Sequence, residues 1–402
     1  SIEIREPALG GWTRRSLLAL QSALCLALLF SAGLFSASLN RVMSLDYGVD
    51  LDRTLQVGYN LRRDSRTQAD VKALYARALD QVQQLPGVER AALSQEYPFN
   101  SGSGIAPFTA DASQEQLWKG RPGGVGYTTY AGAHFFSALG TTSLIGRDFT
   151  EDDKSGSPRV TILNGPLAQL LFPKGNALGQ CIFLGPDREC FRVVGIVGGV
   201  WKIIALDRGR MAVYLPLAQD FSKTPGALMV RVQGNRAAVL SDIRRTMQSI
   251  ESGLPAVSVK FAGELLAREV RPWRLGATMF VGFALVALVI AAIGVYGVVS
   301  FATTQRMPEI GIRLALGATG AHIVRLVAGS GIGAVLGGLA VGAAASLIAS
   351  RWMGAVLYQT SPRDPFILAE AALVLLAIAA TAIVRPLVRA LRLNPAIVLR
   401  AE

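Results

Sequence analysis

Residues able to do chemistry are sparse in this 402-residue chain, which has two histidines and three cysteines. His134 and His322 anchor no recognisable triad and no metal-ligand spacing. His134 lies in Ala-Gly-Ala-His-Phe-Phe, a setting that suits packing or surface exposure better than general-base work. No catalytic residue, metal or other cofactor is expected, and the chain is not expected to be an enzyme. Its 402 residues contain no Gly-x-x-x-x-Gly-Lys-Ser/Thr, so any dependence on ATP has to come from a partner. Cys181 and Cys190 are equidistant from Gly185-Pro186. A hairpin centred on that turn sets them directly opposite, within reach of a disulfide worth about 2–3 kcal/mol on the loop-entropy model. A two-ligand metal site competes with that reading but lacks a nearby histidine. Cys25 falls inside an apolar run, as an inert lipid- or helix-facing thiol.

The other chemically patterned piece is Gln305–Ala318, Gln-Arg-Met-Pro-Glu-Ile-Gly-Ile-Arg-Leu-Ala-Leu-Gly-Ala. Pro308 suits the first turn of a helix, where a missing N–H costs nothing. Glu309 and Arg313 stand at i,i+4 in the favourable order for an ion pair. Ile310, Ile312, Leu314 and Leu316 offer apolar contact to headgroups or to a partner, and Gly317 and Gly320 end the piece.

The elements that hold this segment are apolar and long. The chain is 51% hydrophobic and 17% charged, with mean hydropathy +0.38, and the excess is concentrated in four runs. These are Ser16–Asn40, Leu275–Gln305, Leu326–Ser350 and Pro365–Val384, the last interrupted only by Glu370. A span needs about 20 apolar residues, and runs this long are poor buried core helices. The first run is too long for a signal peptide, and more spans follow it. The chain begins with Ser rather than Met, which fits a piece of a longer or processed polypeptide. Arginines flanking the runs place both termini and the 303–325 loop in the cytoplasm. The domains then run 1–15 cytoplasmic, 16–40 first span, 41–271 outside, 275–302 second span, 303–325 inner segment, 326–350 third span, 351–364 external loop, 365–384 fourth span, and 385–402 cytoplasmic tail. The net charge of +12 comes mostly from span flanks, with no basic-aromatic cluster, so nucleic acid is excluded as a partner. In the third span, Gly333/Gly337 and Gly338/Gly342 are small-xxx-small pairs that permit close helix packing. Glu370 sits near the outer end of the fourth span as an interfacial carboxylate.

The outer block reads as α+β. Thr54–Asn60 alternates like a strand, Gln68–Gln84 has helical 3/4 spacing, Leu85-Pro86-Gly87 breaks it, and Ala91–Gln95 opens a strand. The same order recurs in Ala227–Val232, Ala238–Ile250, Leu254-Pro255 and Ser258–Phe261. Two βαβ-type units on one sheet are expected, separated by a β-rich insert at about 124–214.

Gln305–Ala318 closely resembles the pattern Arg-x-x-Glu-Ile-Gly-Ile-Arg-x-Ala-Leu-Gly-Ala of FtsX-like permeases of the MacB type, the membrane subunits of mechanotransmitting ABC systems. Tyr358–Pro365 is similar to the family's external link, Arg385–Glu402 to its tail, and Leu-Pro-Gly-Val-Glu and Val-Val-Gly-Ile-Val-Gly to its MacB-like periplasmic core domain. The tail departs from the family pattern at Asn394 and at Leu387-Val388. The resemblance implies a MacB-like domain over 41–271, an FtsX-like permease domain over 275–395, and a bacterial inner-membrane location with the large domain periplasmic or extracellular. It implies a coupling helix that docks on a cytoplasmic ABC ATPase, with Arg306, Glu309, Ile310, Gly311, Arg313, Leu316 and Gly317 as coupling residues. The lipid bilayer and a second permease copy, or a fused half, are the other expected partners. Export or efflux is the implied function. The alternative is a non-transporting scaffold that regulates a cell-wall hydrolase, or a sensor.

Overall fold

In the computed structural model, the described residues are 9–61, 66–96, 104–109, 123–184, 189–198, 211–220, 222–251, 256–315, 319–354, 357 and 360–391. The chain divides into two units, residues 44–270 and the remainder.

The frame of the 44–270 unit follows the alternating and helical patterns closely. Strand β1 (Thr54–Tyr59) leads to helix α2 (Gln68–Gln83) and strand β2 (Val88–Ser94); far downstream come β10 (Ala227–Val232), α5 (Arg236–Ser249) and β11 (Val257–Phe261). Thr67 starts α2 with a capping box: its Oγ1 accepts from the Asp70 amide at 3.2 Å, and its own amide donates to Asp70 Oδ2 at 3.0 Å. Leu74, Tyr75, Ala78 and Val82 form the helix's buried face, packed with Leu55, Val57, Val230 and Ile243. Gly87 ends this corner with φ +86°, and a Cβ there would sit 2.5 Å from Val239 Cγ2 of α5, so the turn is both left-handed and tightly packed. Asn235 caps α5 by accepting from the Ala237 amide, which is why the helix begins at Arg236 rather than at Ala238.

The strand order is β11-β1-β10-β2, with every neighbour antiparallel. The two βαβ units are therefore interlocked: β10 lies between β1 and β2, and β1 lies between β10 and β11. This is the split βαβ, or ferredoxin-like, arrangement.

Between β2 and β10 the insert contains β3 (Gly104–Thr109), β4 (Gly123–Ala131), α3 (Phe135–Leu139), β5 (Leu144–Gly146), β6 (Val160–Asn164), α4 (Gly165–Leu171), β7 (Cys181–Leu184), β8 (Glu189–Val197) and β9 (Ala212–Pro216). It begins earlier than residue 124, because β3 pairs with β4; Pro107 and the glycines of both strands dilute the strand signal. The pairings β4-β3-β7-β8-β6-β9 return to β4, closing a six-stranded ring. Phe108, Leu163, Ile182, Phe191, Val213 and Leu215 belong to one buried cluster of this ring.

Cys181 and Cys190 are bridged, with Cα atoms 5.2 Å apart. Their register differs from the expectation: Cys181 opposes Arg192 and Cys190 opposes Phe183, so the cysteines are diagonal neighbours. The pairing Ile182↔Phe191 places both of those side chains in the core, which leaves the cysteines on the outer face. Gly185-Pro186 lies outside the described residues.

Polar contacts tie the insert to the frame. Thr54 Oγ1 donates to the Leu139 carbonyl at 3.1 Å, and the Asp50 amide donates to the same oxygen at 2.8 Å. Arg231 on β10 reaches Asp50 at 3.4 Å and Glu89 at 3.2 Å. It passes so close to Gly140 (φ +69°) that a Cβ there would lie 1.5 Å from Arg231 Nη1. In the loop after β5, buried Asp153 accepts from both Arg147 guanidinium nitrogens, at 2.7 and 2.8 Å, and from the Thr150 amide at 2.9 Å. Burial pushes this carboxyl up, but the Arg147 and Thr150 hydrogen bonds outweigh it and hold the group below the usual carboxylate range. His134 is the N-cap of α3 with φ +60°, and its backbone amide bonds the Phe149 carbonyl.

The other unit is a helical bundle of α1 (Leu9–Met43), α7 (Arg271–Gln305), α8 (Met307–Ala315), α9 (Gly320–Met353) and α10 (Pro365–Leu391), with α6 (Ala262–Glu269) preceding it in the 44–270 unit. Four of these helices are long and apolar enough to cross a membrane, over Trp12–Met43, Arg271–Gln305, Gly331–Met353 and Pro365–Val388. The helices outrun the uncharged stretches, since arginines at a span's edge stay helical while their charged ends reach water. At 35 residues each, α1 and α7 are about 52 Å long, well beyond a hydrocarbon core of about 30 Å. α1 is the most enclosed helix, packing against α7, α9 and α10. Cys25 is helix-facing: it is fully buried among Leu26, Phe30, Ala291 and Leu375.

Candidate functional site

The segment between α7 and α9 folds as the short helix α8, after a break of one residue. Arg306 occupies that break; its amide bonds the Thr303 carbonyl at 3.2 Å, and its carbonyl accepts from the Ile310 amide at 2.9 Å. The hydrogen-bond ladder thus restarts immediately, and Pro308 sits in the first turn, where no donor is lost. Gly320 belongs to α9 rather than to the loop: Thr319 is the N-cap, so the third helix starts six residues before the uncharged run at Leu326. Leu316 and Gly317 lie outside the described residues.

Glu309 and Arg313 form an i,i+4 ion pair at 2.5 Å with both side chains nearly half exposed, a geometry of small energetic worth in itself, about 0.3–0.5 kcal/mol. Ile312 is half exposed on the same side of α8, and Arg306 is exposed. Ile310 points the other way. It is fully buried and belongs to a cluster with Leu18 of α1, Val295 and Val299 of α7, Val335 of α9, and Ala379 and Ile383 of α10. Sequence alone offered Ile310 to headgroups or to a partner; the structure instead turns it into the bundle, where its apolar side chain joins a buried cluster with members from all four long helices. Gly311 is part of α8. Near the inner end of the bundle, the Arg14 guanidinium lies 3.9 Å from the centre of the Phe301 ring, joining α1 to α7.

The four glycines of the two small-xxx-small pairs in α9 differ in their surroundings. A Cβ on Gly338 would meet the Ala19 carbonyl oxygen at 2.4 Å and Ser22 Cβ at 2.6 Å, and one on Gly342 would meet Ala23 Cα at 2.8 Å. Gly333 and Gly337 face open space. Only Gly338 and Gly342 of the four therefore permit the approach of α9 to α1 seen within this chain. Two further close approaches carried no spacing signal: Gly276 against the Phe35 ring, and Gly294 against the Gln21 amide. Isolated glycines of this kind lie outside the small-xxx-small pattern. Glu370 is exposed in the second turn of α10.

These features define a polytopic membrane protein: a four-span bundle with a helix buttressed by its core, joined in sequence to a large α+β domain. Residues 17–246, more than half of the chain, match the MacB-like periplasmic core domain, and residues 281–395 match the FtsX-like permease C-terminal domain. The chain belongs to the MacB/FtsX-like permease family, with its 44–270 domain on the extracytoplasmic side of the inner membrane. It is similar to the macrolide export ATP-binding/permease protein MacB of Aggregatibacter actinomycetemcomitans, with 24% identity over 48% of this chain and 31% of that protein. It is also similar to the uncharacterized ABC transporter permease YknZ of Bacillus subtilis, with 27% identity over 44% of this chain and 46% of that one. The pyoverdine export ATP-binding/permease protein PvdT of Pseudomonas putida is 25% identical over 45% of this chain and 28% of its own length. The chain thus spans about a third to a half of the curated relatives it matches. Among solved structures, the periplasmic region of MacB from Actinobacillus actinomycetemcomitans aligns with TM-score 0.39 at 16% identity, over 56% of this chain and 94% of that one. The extracellular domain of YknZ aligns with TM-score 0.36 at 15% identity, over 52% of this chain and 99% of that one.

Proposed function

We propose that this chain is the permease subunit of an ABC transporter of the mechanotransmission type, in which a partner ATPase on the cytoplasmic side moves α8 and thereby the membrane helices and the extracytoplasmic domain, driving export. The observation that supports it is Ile310. One face of α8 offers Glu309, Ile312 and Arg313 outward, while Ile310 on the other is packed into a cluster with members from all four long helices. A push on the exposed face is therefore received by a close-packed core, which transmits displacement rather than absorbing it. Arg306, Glu309, Gly311 and Arg313 form or flank the docking face, and Ile310 acts as the link inward. The working assembly pairs two such permease units with the ATPase; relatives whose names join ATP-binding and permease functions support an ATPase of that kind.

The test is reconstitution of the chain with the ATPase subunit that co-purifies with it in mild detergent. Glu309→Arg and Arg313→Glu should abolish stimulation of ATP hydrolysis, while membrane insertion and the unfolding temperature stay unchanged. Undiminished stimulation in both variants would remove α8 from the docking face.

A further inference from the structure

The ring of the insert closes on itself, but the principal sheet ends at β11, whose neighbour among the described residues is β1 alone. A strand with one free side presents a row of backbone donors and acceptors that water alone satisfies. Beside β11 lies a shallow, open depression of about 470 Å³ lined by Asn60, Arg244 and the stretch Ala256–Lys260. Among the described residues its charged groups are both cations, Arg244 and Lys260, and no carboxylate lines it. Among the described residues neither has an ion-pair partner, although arginines elsewhere in this unit are repeatedly matched with carboxylates (Arg53 with Glu89, Arg77 with Glu251, Arg147 with Asp153).

The faces of β11 are fixed by its packing. Val257, Val259 and Phe261 join the cluster under α2 and α5, so Ser258 and Lys260 point to the opposite face. Arg244 comes from α5, on the helix-covered side. The two cations therefore flank the free edge from its two sides. A strand laid along β11 would turn adjacent residues to opposite faces, one toward Arg244 and the next toward Lys260.

We infer that β11 is a docking edge for an extended acidic peptide segment of a partner protein, which adds as a further strand and places two neighbouring carboxylates on Arg244 and Lys260. Backbone pairing supplies the affinity, and the two cations supply the preference for acidic side chains. The site is independent of the coupling role of α8.

The probe is a fluorescein-labelled, acetylated six-residue peptide, Thr-Val-Glu-Glu-Val-Thr, titrated against the full chain in lipid nanodiscs, with the Lys-Lys version as control. The expected result is saturable binding with about tenfold preference for the glutamate peptide. Amide hydrogens at 257–261 should gain protection from exchange in the complex. Arg244→Glu combined with Lys260→Glu should reverse the preference, with β1 protection unchanged to show that the sheet is intact. Four outcomes overturn the proposal: no discrimination between the peptides, protection confined to another part of the chain, binding that citrate reproduces without protecting 257–261, or concentration-dependent protection of 257–261 in the free protein, which would make a second copy the occupant.

Discussion

Replacing Gly338 by valine adds side-chain volume to α9 where the Ala19 carbonyl oxygen is 2.4 Å, and Ser22 Cβ 2.6 Å, from the position of the first added carbon. Carbon and oxygen in contact stand about 3.3 Å apart, so α1 and α9 must separate by roughly 1 Å or bend. Neither nearest atom is the far end of a flexible side chain, so little can give way. The separation also loosens the Gly342 contact with Ala23, one turn further on. Overpacking of this kind costs about 1–3 kcal/mol. Gly337→Val is the internal control: it changes the same residue type on the same helix, yet its Cβ would meet nothing within 4 Å. In detergent, differential scanning of the full chain should show the Gly338 variant unfolding about 4–8 °C below the parent, taking a mid-range cost of about 2 kcal/mol at about 2–4 °C per kcal/mol for a unit of this size. The Gly337 variant should stay within about 2 °C of the parent, because removing a helical glycine costs nothing where there is room. Equal shifts at 337 and 338 would refute the assignment of one glycine face to α1.

Cys181→Ser with Cys190→Ser should destabilise the ring of the insert by about 2–3 kcal/mol, since the bridge closes a loop of only nine residues' separation; hydrogen exchange at β7 and β8 measures this, and free thiols at Cys181 and Cys190 in non-reduced parent protein would contradict the bridge. Asp153→Asn should cost about 1–3 kcal/mol at neutral pH through the lost charged hydrogen bonds to Arg147. Because the folded carboxyl is held below its ordinary value, its contribution is complete above about pH 4 and fades as pH falls through the folded pKa; the parent and variant unfolding curves should converge only in acid. Gly140→Ala should loosen the insert's attachment by at least about 1 kcal/mol, since it forces both a left-handed alanine and a displaced Arg231, seen as faster exchange at the Asp50 amide. Ile310→Ala should lower bundle stability by about 2–4 kcal/mol, in contrast to Glu309→Arg, which should leave stability intact.

The sequence made some layers legible and concealed others, for physical reasons. Spans and frame elements were visible because burial imposes period: β1, α2, β10 and β11 fall within one or two residues of the alternating and 3/4-spaced stretches. Helix ends in the bundle were not, because Arg14 and Arg15 mark where hydrocarbon stops rather than where α1 stops. Local pattern also says nothing about which strand sits between which, so the interlocking of the two βαβ units was invisible. The cysteine pairing was readable from spacing, yet its register was decided by Ile182 and Phe191 seeking the core. At the candidate site, the Glu309–Arg313 pair was encoded in i,i+4 spacing, whereas the inward turn of Ile310 depends on neighbours more than 60 residues away, at Ala379 and Ile383.

The position of β10 between β1 and β2 sets a timetable for the outer domain. As the chain emerges across the membrane, β1 and β2 arrive early but have no strand to join them; about 130 residues separate the end of β2 from the start of β10. The six-stranded ring lies wholly within that interval and can close first, hiding its own edges. The frame then completes only when its last strands arrive, immediately before α6 and α7, so maturation of the outer domain and insertion of the second span fall at nearly the same moment.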